Sequence, residues 1–286
     1  MQKKYWSGVL TLLGGLLALS HTPSYAQYGL CHRAFLPVRA ETNAQSEQVT
    51  QLIFGEAFQV LKTDSATGWV WIKNHFDGYE GWIPQTDFAP ISKTYYEEYK
   101  VKAHPLSADR LGRVWIGKRP LSLPQGSVLP FYEAGRIRVG EQTYRFEGNI
   151  IPSQNRPKPA AWIQTARTYL GVPYQWGGKT EQGLDCSGFT QMVLRQNGRA
   201  LPRDSYQQAE IGQKITLAEA RPGDLAFFQR KAEGEGKVVH VGIYLGQGQL
   251  IHADGMVRIN RLDDTGIYRD DLGKYSHYLK FLRRVE

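Results

Sequence analysis

Hydrophobic and polar residues alternate in many short runs over the first half of the chain, and this pattern predicts β-strands. The clearest run is residues 68–72, Gly-Trp-Val-Trp-Ile, in which successive side chains would point to opposite faces of a sheet. Two segments in this half are similar to each other. Residues 52–60 and residues 123–131 each begin with leucine, have glycine as the fourth residue and end in an apolar residue. We therefore predict one small β unit that is used twice, with the second copy more diverged.

The pattern changes at a polar, proline-punctuated stretch, residues 152–159, which we interpret as a linker. Beyond it, residues 161–170 carry apolar side chains at helical spacing and are followed by a glycine, so they predict a helix. A second run with helical spacing follows Cys186, and strand-like segments then include residues 238–245 and 249–253. Helices followed by strands predict an α+β domain with its helices on one side of an antiparallel sheet.

The N-terminus has the features of a secretory signal peptide. Two lysines precede an apolar run at residues 9–19, and the small residues Ser24 and Ala26 fit a cleavage site after Ala26. The apolar run is too short to span a bilayer, and no later segment has about 20 consecutive apolar residues. We therefore expect residues 1–26 to be removed, and the mature protein, without a membrane span, to be periplasmic or secreted.

The composition argues against several classes of function. The formal net charge is +8, but the basic residues are scattered and form no stripe with interleaved aromatic residues, so we expect no nucleic-acid partner. The seven histidines are dispersed and no cysteine pair has ligand spacing, so we expect neither a metal nor a cofactor. The two cysteines are Cys31 and Cys186. If Cys186 reacts, it must stay reduced, and Cys31 is then expected to be an unpaired, buried thiol.

Cys186 is the most informative residue because it directly precedes a predicted helix. Unpaired N–H groups and the positive end of the dipole at a helix N-terminus favour thiolate over thiol. His240 and His252 each interrupt an otherwise apolar strand. A thiolate, a base and a group that orients the base are the components of nucleophilic cysteine catalysis. From the residues alone, Asp254 and Asp224 compete with His252 for the orienting role.

Six sequence blocks in the C-terminal half resemble the NlpC-type cysteine peptidases of bacterial peptidoglycan, which have a papain-like core. The resemblance covers residues 162 to about 282, and the blocks occur in the order of the family. They are residues 171–178, 184–189, 201–205, 221–228, 240–244 and 251–253. The resemblance implies that Cys186 is the nucleophile, His240 the base and His252 the residue that orients it.

The chain looks most similar to the γ-D-glutamyl-L-diamino acid endopeptidase subset of this family. In that subset, N-terminal SH3-like barrels precede the catalytic domain, and a free N-terminal amine of L-Ala is captured beside the scissile bond. The resemblance implies that the first barrel narrows the cleft with a glutamate and a tyrosine, for which we expect Glu47 and Tyr79, with Glu56 as the alternative glutamate. The oxyanion is expected at the backbone N–H of Cys186, with the Tyr174 hydroxyl as a second donor unless that residue only packs in the core. The other residues expected to bind substrate are Trp176, Asp185, Ser187, Asp204 and Ser205.

These observations predict an α+β papain-like catalytic domain preceded by two small all-β SH3-like barrels. The predicted boundaries are 1–26 for the signal peptide, 27–92 for barrel 1, 93–157 for barrel 2 with the linker, and 158–286 for the peptidase domain. The predicted function is hydrolysis of the γ-D-glutamyl to diamino acid bond, with diaminopimelate or lysine, in peptidoglycan stem peptides or muropeptides that have a free N-terminal L-Ala. This activity would serve cell-wall turnover or recycling.

Two alternative functions remain open from the sequence. The first is a hydrolase of intact peptidoglycan, either an endopeptidase or an N-acetylmuramoyl-L-alanine amidase, that uses the barrels for wall binding. The second is a non-catalytic wall-binding protein, against which the complete set of Cys186, His240 and His252 argues.

Overall fold

A computed structural model describes residues 27–110, 112–154, 159–232, 234 and 236–285. The predicted signal peptide lies outside the described residues, and so do residues 155–158 of the predicted linker. No helix in the described part of the chain is long and apolar enough to cross a membrane.

The first unit is a single antiparallel sheet of seven short strands. Its strand order is β3-β2-β6-β5-β4-β1-β7, so β3 lies at one edge. The alternation predicted around residue 70 is present, because Val70 and Ile72 are buried while Trp69 and Trp71 are partly exposed. The strands are β1 (Tyr28–Leu30), β2 (Phe35–Arg39), β3 (Gln48–Ile53), β4 (Ala57–Asp64), β5 (Trp69–Asn74), β6 (Glu80–Pro84) and β7 (Ala89–Pro90).

Cys31 lies in the core of this first unit. Its thiol is fully buried and unpaired, and Sγ donates a hydrogen bond to the backbone oxygen of Leu52 at 3.8 Å. Burial raises the pKa of the Cys31 thiol, so the sulfur is protonated and unreactive at neutral pH.

The second unit begins with a helix and continues with two small antiparallel sheets, so it is not the all-β unit that the sequence predicted. Helix α1 (Lys93–Val101) starts at Ser92, whose hydroxyl accepts a hydrogen bond from the backbone N–H of Tyr95. The helix buries its tyrosines in a core to which the first unit adds Leu30 and Phe54. One sheet has the order β10-β9-β12-β11, and the other pairs β13 with β8. The strands are β8 (Leu106–Ser107), β9 (Arg113–Ile116), β10 (Arg119–Ser122), β11 (Arg136–Val139), β12 (Gln142–Glu147) and β13 (Ile150–Ile151).

The third unit has helices packed against a curled antiparallel sheet. The strand order is β16-β22-β17-β18-β19-β20-β21, and β21 also pairs with β22, so the sheet closes on itself. Helix α3 packs on β18 and β19. The helices are α2 (Pro159–Thr168), α3 (Cys186–Gln196) and α4 (Ser205–Gln208). The strands are β14 (Lys179–Thr180), β15 (Gly183–Leu184), β16 (Gln213–Ile215), β17 (Leu225–Gln229), β18 (His240–Gly246), β19 (Gln249–Asp254), β20 (Met256–Leu262), β21 (Gly266–Arg269) and β22 (Lys274–Arg284).

A buried ion network fixes the first unit to the third. The carboxylate of Glu56 is fully buried and accepts hydrogen bonds from Lys179 Nζ at 3.2 Å and from Arg195. The ring of Phe76 lies against both cations, with the Arg195 guanidinium 4.2 Å from its centroid. The two cations hold the pKa of Glu56 below its usual value even though burial acts in the opposite direction. Glu56 is therefore an interface residue, and its suggested alternative role in the cleft is wrong.

We expect Glu56→Gln to lower the free energy of unfolding by about 3–5 kcal/mol, because two buried cations would lose their closest anionic partner. Urea denaturation followed by tryptophan fluorescence measures the difference. The matched control is Glu98→Gln, which removes the exposed ion pair of Glu98 with Arg138 and should cost about 1 kcal/mol or less. A loss at Glu56 no larger than the loss at Glu98 would contradict the prediction.

Candidate active site

Cys186 is the first residue of α3, at the bottom of a cleft. The preceding Asp185 caps the helix, and its carboxylate accepts a hydrogen bond from the backbone N–H of Gly188 at 2.7 Å. The backbone N–H groups of Val241 and Ser187 donate to Cys186 Sγ. These donors favour the thiolate, but burial outweighs them and, with the Asp185 charge, raises the pKa of Cys186 to about 12. The resting sulfur is therefore a thiol, contrary to the preference expected from the helix terminus.

Three side chains form a hydrogen-bonded chain on adjacent strands of the sheet against which α3, the helix of Cys186, packs. His240 on β18 lies with Nε2 2.8 Å from Nδ1 of His252 on β19, and Nε2 of His252 lies 3.0 Å from Oδ1 of Asn260 on β20. The amide oxygen of Asn260 only accepts, so Nε2 of His252 carries the proton and its Nδ1 accepts. His240 then donates from Nε2, and its Nδ1 has a free lone pair.

Both histidines are neutral at physiological pH. Burial lowers the pKa of His252 to about 4, partly offset by the hydrogen bond to Asn260, and burial lowers the pKa of His240 well below its usual value. The competing carboxylates are engaged elsewhere, Asp254 with Arg269 at 2.9 Å and Asp224 with Arg284 at 2.8 Å. Within the described residues, His252 is the hydrogen-bond partner of His240.

A cleft of about 380 Å³ opens above Cys186, and both the first and the third unit line it. All eight side chains that the sequence assigned to substrate binding lie in its wall. They are Glu47, Tyr79, Tyr174, Trp176, Asp185, Ser187, Asp204 and Ser205. Besides Cys186, the wall contains five residues that were not expected from the sequence, Val49, Tyr206, Arg230, Val238 and Val239.

The edge strand of the first unit holds one wall of the cleft in place. Oε1 of Glu47, just before β3, accepts a hydrogen bond from Nε1 of Trp176 at 2.7 Å, and the Gln48 side chain donates to the Trp176 backbone oxygen at 2.9 Å. Gly177 has φ +73°, and a Cβ there would lie 2.4 Å from the Gln48 backbone oxygen, so only glycine permits this approach. The carboxylate of Glu47 is thus fixed at the mouth of the cleft with its second oxygen available.

Asp204 provides a second carboxylate in the cleft. The hydroxyls of Tyr206 on α4 and of Tyr79 in the first unit lie close to it and act to lower its pKa. Burial raises the pKa of Asp204, although Arg203 beside it acts in the opposite direction. Burial, together with the Asp204 charge, raises the pKa of Tyr79 to about 12, so Tyr79 remains a hydroxyl donor.

Asp185 forms an ion pair with the buried Arg203. Arg203 lies in the family block of residues 201–205, but no role was predicted for it. The Arg203 guanidinium binds both carboxylate oxygens, at 2.9 Å and 2.5 Å, and its Nε donates to the Thr50 hydroxyl on β3 at 2.9 Å. The backbone N–H of Gly177 also donates to Asp185, at 2.8 Å. The Asp185 carboxylate is therefore saturated by groups of the protein itself.

The remaining predicted residues lie near the sulfur. Tyr174 is half-buried in the wall, and burial raises the pKa of its hydroxyl. Ser187 Oγ accepts a hydrogen bond from Arg203 at 3.0 Å, and Ser205 begins α4.

In the described part of the chain, no group of three or more His, Cys, Asp or Glu side chains is arranged to hold a metal ion.

Asn260 and His277 are two further residues at the site that sequence reasoning missed. His277 stacks on the ring of His240, and Asn260 completes the hydrogen-bonded chain. Asn260 is a polar residue on a strand that also carries Val257 and Ile259. Such a residue is a weak signal by itself, because its partner is eight positions away and is brought close only by the pairing of β19 with β20.

Comparisons with known proteins agree with this geometry. Residues 171–274 match the NlpC/P60 family, and residues 38–88 match the bacterial dipeptidyl-peptidase Sh3 domain. A γ-D-glutamyl-L-lysine dipeptidyl-peptidase of Bacillus subtilis is 31% identical over 217 residues, covering 71% of each chain. A protein of the same name from Bacillus cereus is 31% identical over 260 residues, covering 81% of this chain and 75% of the relative.

A solved structure shares the fold over most of the chain. A crystal structure of an NlpC/P60 family protein from Bacillus cereus superimposes with a TM-score of 0.76 at 21% identity, covering 90% of this chain and 99% of that one. The C-terminal unit carries the cysteine and histidines in the NlpC/P60 fold, and the N-terminal part is β-rich and includes an SH3-type domain. The chain therefore belongs to the NlpC/P60 family of cysteine peptidases, whose members hydrolyse peptidoglycan.

Proposed function

We propose that this protein is an exported cysteine endopeptidase that cuts the γ-D-glutamyl to diamino acid bond of peptidoglycan stem peptides with a free N-terminal L-Ala. The observation that carries the proposal is that Glu47 and Tyr79 of the first unit line the same cleft as Cys186. The two relatives named γ-D-glutamyl-L-lysine dipeptidyl-peptidases support the class of bond.

The acidic side of the cleft fits an ammonium group. Glu47 has a second carboxylate oxygen beside the one that accepts from Trp176, and Asp204 is a half-buried carboxylate near two tyrosine hydroxyls. A substrate ammonium between these carboxylates would form charge-assisted hydrogen bonds, which are stronger in a partly desolvated site than in water. Asp185, whose oxygens already accept from Arg203 and the backbone, would act by orienting Ser187 and the cleft wall.

The first unit also limits what can enter the cleft. Glu47 and Tyr79 belong to a domain that is anchored to the catalytic unit by the Glu56 ion network, so this wall is rigid. A stem peptide whose L-Ala is still joined to muramic acid has no ammonium group to pair with the carboxylates. Its glycan would also collide with the side of the cleft that the first unit forms. Released peptides therefore suit the cleft better than intact peptidoglycan does, both in size and in charge.

The chemistry would run through a thioester. Nδ1 of His240 takes the proton from Cys186 Sγ as sulfur bonds to the γ-carbonyl carbon of D-Glu and the carbonyl electron pair moves to oxygen. The oxyanion would be stabilised by the backbone N–H of Cys186 and the hydroxyl of Tyr174. The C–N bond then breaks, and the imidazolium proton of His240 passes to the leaving amine of the diamino acid.

Hydrolysis of the thioester regenerates the enzyme. Nδ1 of His240 takes a proton from water as the water oxygen bonds to the thioester carbon. The C–S bond breaks, sulfur recovers the proton from His240, and L-Ala-γ-D-Glu leaves with a free γ-carboxyl group. His252 keeps Nε2 of His240 as the donor throughout, so Nδ1 is the nitrogen that exchanges protons in both steps.

Two finer features are part of the proposal. The lysines and apolar run of residues 1–26 support export, after which the enzyme would work in the periplasm or outside the cell.

We also propose that residues 93–157 contain a second, diverged SH3-like barrel. The matching glycines of the two similar segments support this, because Gly55 and Gly126 both have φ +82°.

The experiment that tests the proposal compares L-Ala-γ-D-Glu-diamino acid peptides with free and with acetylated N-termini. The parent enzyme should cleave the free peptide and release L-Ala-γ-D-Glu, identified by mass, and should barely cleave the acetylated one. Glu47→Gln should lower kcat/KM for the free peptide by about tenfold to a hundredfold, because an ammonium loses a charged partner. The variant should leave the slow rate on the acetylated peptide unchanged.

The matched control is Glu41→Gln, an exposed glutamate on the same loop outside the cleft wall. This control should keep the parent's kcat/KM on both peptides. Equal cleavage of free and acetylated peptides by the parent would contradict the proposed selectivity. The first unit would then be interpreted as a module that binds the cell wall. Release of intact tripeptide from a muropeptide would instead identify an amidase.

A further inference from the structure

His277 on β22 stacks face to face on the proposed base. The ring centroids of His277 and His240 are 4.2 Å apart, and the ring planes are inclined by only 18°. The two residues reach each other past the end of β17, the strand that separates β22 from β18. His277 is partly buried, and the hydroxyl of Ser276 lies 3.1 Å from its Nδ1.

A hydrogen bond at one atom does not fix the direction of a ring. The contact of His240 Nε2 with His252 Nδ1 holds one corner of the imidazole, but the ring can still turn about the line from Cβ to Nε2. Turning would move Nδ1 away from the direction that the proposed proton transfer from Cys186 requires, while leaving the hydrogen bond intact. A flat ring parallel to His240 at 4.2 Å removes this freedom, because any turn brings the rings into collision.

We propose that His277 is a positioning residue that fixes the ring plane of His240, and that it does so only in its neutral form. The inference rests on the proposed roles of Cys186 and His240. His240 must become an imidazolium after taking the thiol proton. A neutral imidazole stacked beneath it tolerates that charge, whereas a second imidazolium at 4.2 Å repels it.

The surroundings of His277 keep it neutral near pH 7. Burial lowers the pKa of His277, Asp254 on β19 acts in the opposite direction, and the charges of Arg230, just after β17, and Arg269 on β21 lower the pKa further. Burial also lowers the pKa of His240, and to a greater extent, so His277 gains its proton first as the pH falls. Protonation of His277 therefore sets the acidic limit of activity, at a pH below the ordinary histidine value of about 6.5.

The test compares His277→Ala, which removes the stacked ring, with His277→Phe, which keeps a flat ring but cannot be protonated. His277→Ala should lower kcat by about tenfold to a hundredfold with KM within about twofold of the parent, because a misdirected proton acceptor affects the reaction and not binding. His277→Phe should keep kcat within about threefold at pH 7.5. The acidic limb of its pH profile should move to lower pH, where His240 itself titrates.

Tyr278→Phe, the next residue on β22, is the control and should match the parent in kcat and in pH profile. Melting temperatures show whether each variant is folded at the assay temperature. If His277→Ala is not folded, His277→Leu replaces it, because leucine fills most of the volume without a flat ring. The inference is wrong if the variant without a ring, His277→Ala or His277→Leu, has the kcat of the parent. It is also wrong if His277→Phe is folded but as slow as that variant. An unshifted acidic limb in His277→Phe would also overturn it.

These outcomes are separate from the fate of the proposed function. Cleavage of the free-amine peptide by the parent enzyme, and its loss in Cys186→Ala, test the function without reference to His277. If the parent is active and the His277 variants behave like the parent, only the inference about His277 fails.

Discussion

Replacing Cys186 by alanine should leave a folded protein whose kcat/KM on L-Ala-γ-D-Glu-diamino acid peptides is lower by at least about a thousandfold. The sulfur is the atom that would form the thioester, and no other described cysteine lines the cleft. Cys186→Ser should be nearly as inactive, because a hydroxyl at this buried position is still harder to deprotonate than the thiol. Mass spectrometry of the peptide products measures the loss.

The second cysteine provides the control for this prediction. Iodoacetamide should inactivate the parent enzyme and label Cys186 before Cys31, because Cys186 faces the cleft while Cys31 is sealed in the core of the first unit. Cys31→Ala should keep the parental kcat. Substantial turnover by folded Cys186→Ala would remove the nucleophile from the mechanism.

Local sequence patterns predicted much of the third unit. The strand expected at residues 238–245 is β18 (His240–Gly246), and the strand expected at residues 249–253 is β19 (Gln249–Asp254). A period of two along this strand predicts a core face of Val239, Val241, Ile243 and Leu245. Val241 and Ile243 are fully buried in the core that also contains Cys186, whereas Val239, which precedes β18, is exposed. Such patterns are readable because each residue's face follows from its own position in the strand.

Closure of the sheet and pairing across units were not predictable in the same way. The sequence predicted an antiparallel sheet but not its closure, in which β21 pairs with β22. The residue chosen as an alternative cleft glutamate, Glu56, is instead buried between Lys179 and Arg195. Its partners are more than a hundred residues away in sequence, so nothing in its neighbourhood of the chain distinguishes it from an exposed glutamate.

Contacts between residues far apart in sequence were also not predictable at the candidate site. Sequence and resemblance together predicted the cysteine, both histidines and eight residues of the cleft wall, but not the residues that position them. Arg203, Asn260 and His277 act on Asp185, His252 and His240 through side-chain contacts that exist only after the strands and helices have packed. Residues that support a site carry no motif of their own, since their geometry is set by tertiary structure.

His240→Ala should reduce kcat/KM nearly as much as the loss of Cys186, by about a thousandfold or more, whereas His252→Ala should cost only about tenfold to a hundredfold. His240 carries the proton in both halves of the proposed reaction, and residues that act as one unit do not contribute additively. The double variant Cys186→Ala, His240→Ala should therefore be no slower than either single variant. His252 accepts a hydrogen bond from Nε2 of His240, so its removal frees the tautomer and the ring without removing the base.

The pH dependence of activity distinguishes the role of His240 as the base from the role of His252 as the residue that orients it. Burial lowers the pKa of His240, so the parent should remain active below pH 6.5 until His277 and then His240 become protonated. Loss of His252 opens the site behind His240 to water, which weakens the desolvation that lowers its pKa. The acidic limb of His252→Ala should therefore move to higher pH, while that of the control Asp224→Asn, which is paired with Arg284 away from the cleft, should not. If His252→Ala equals the parent in rate and in pH profile, His252 has no part in orienting the base.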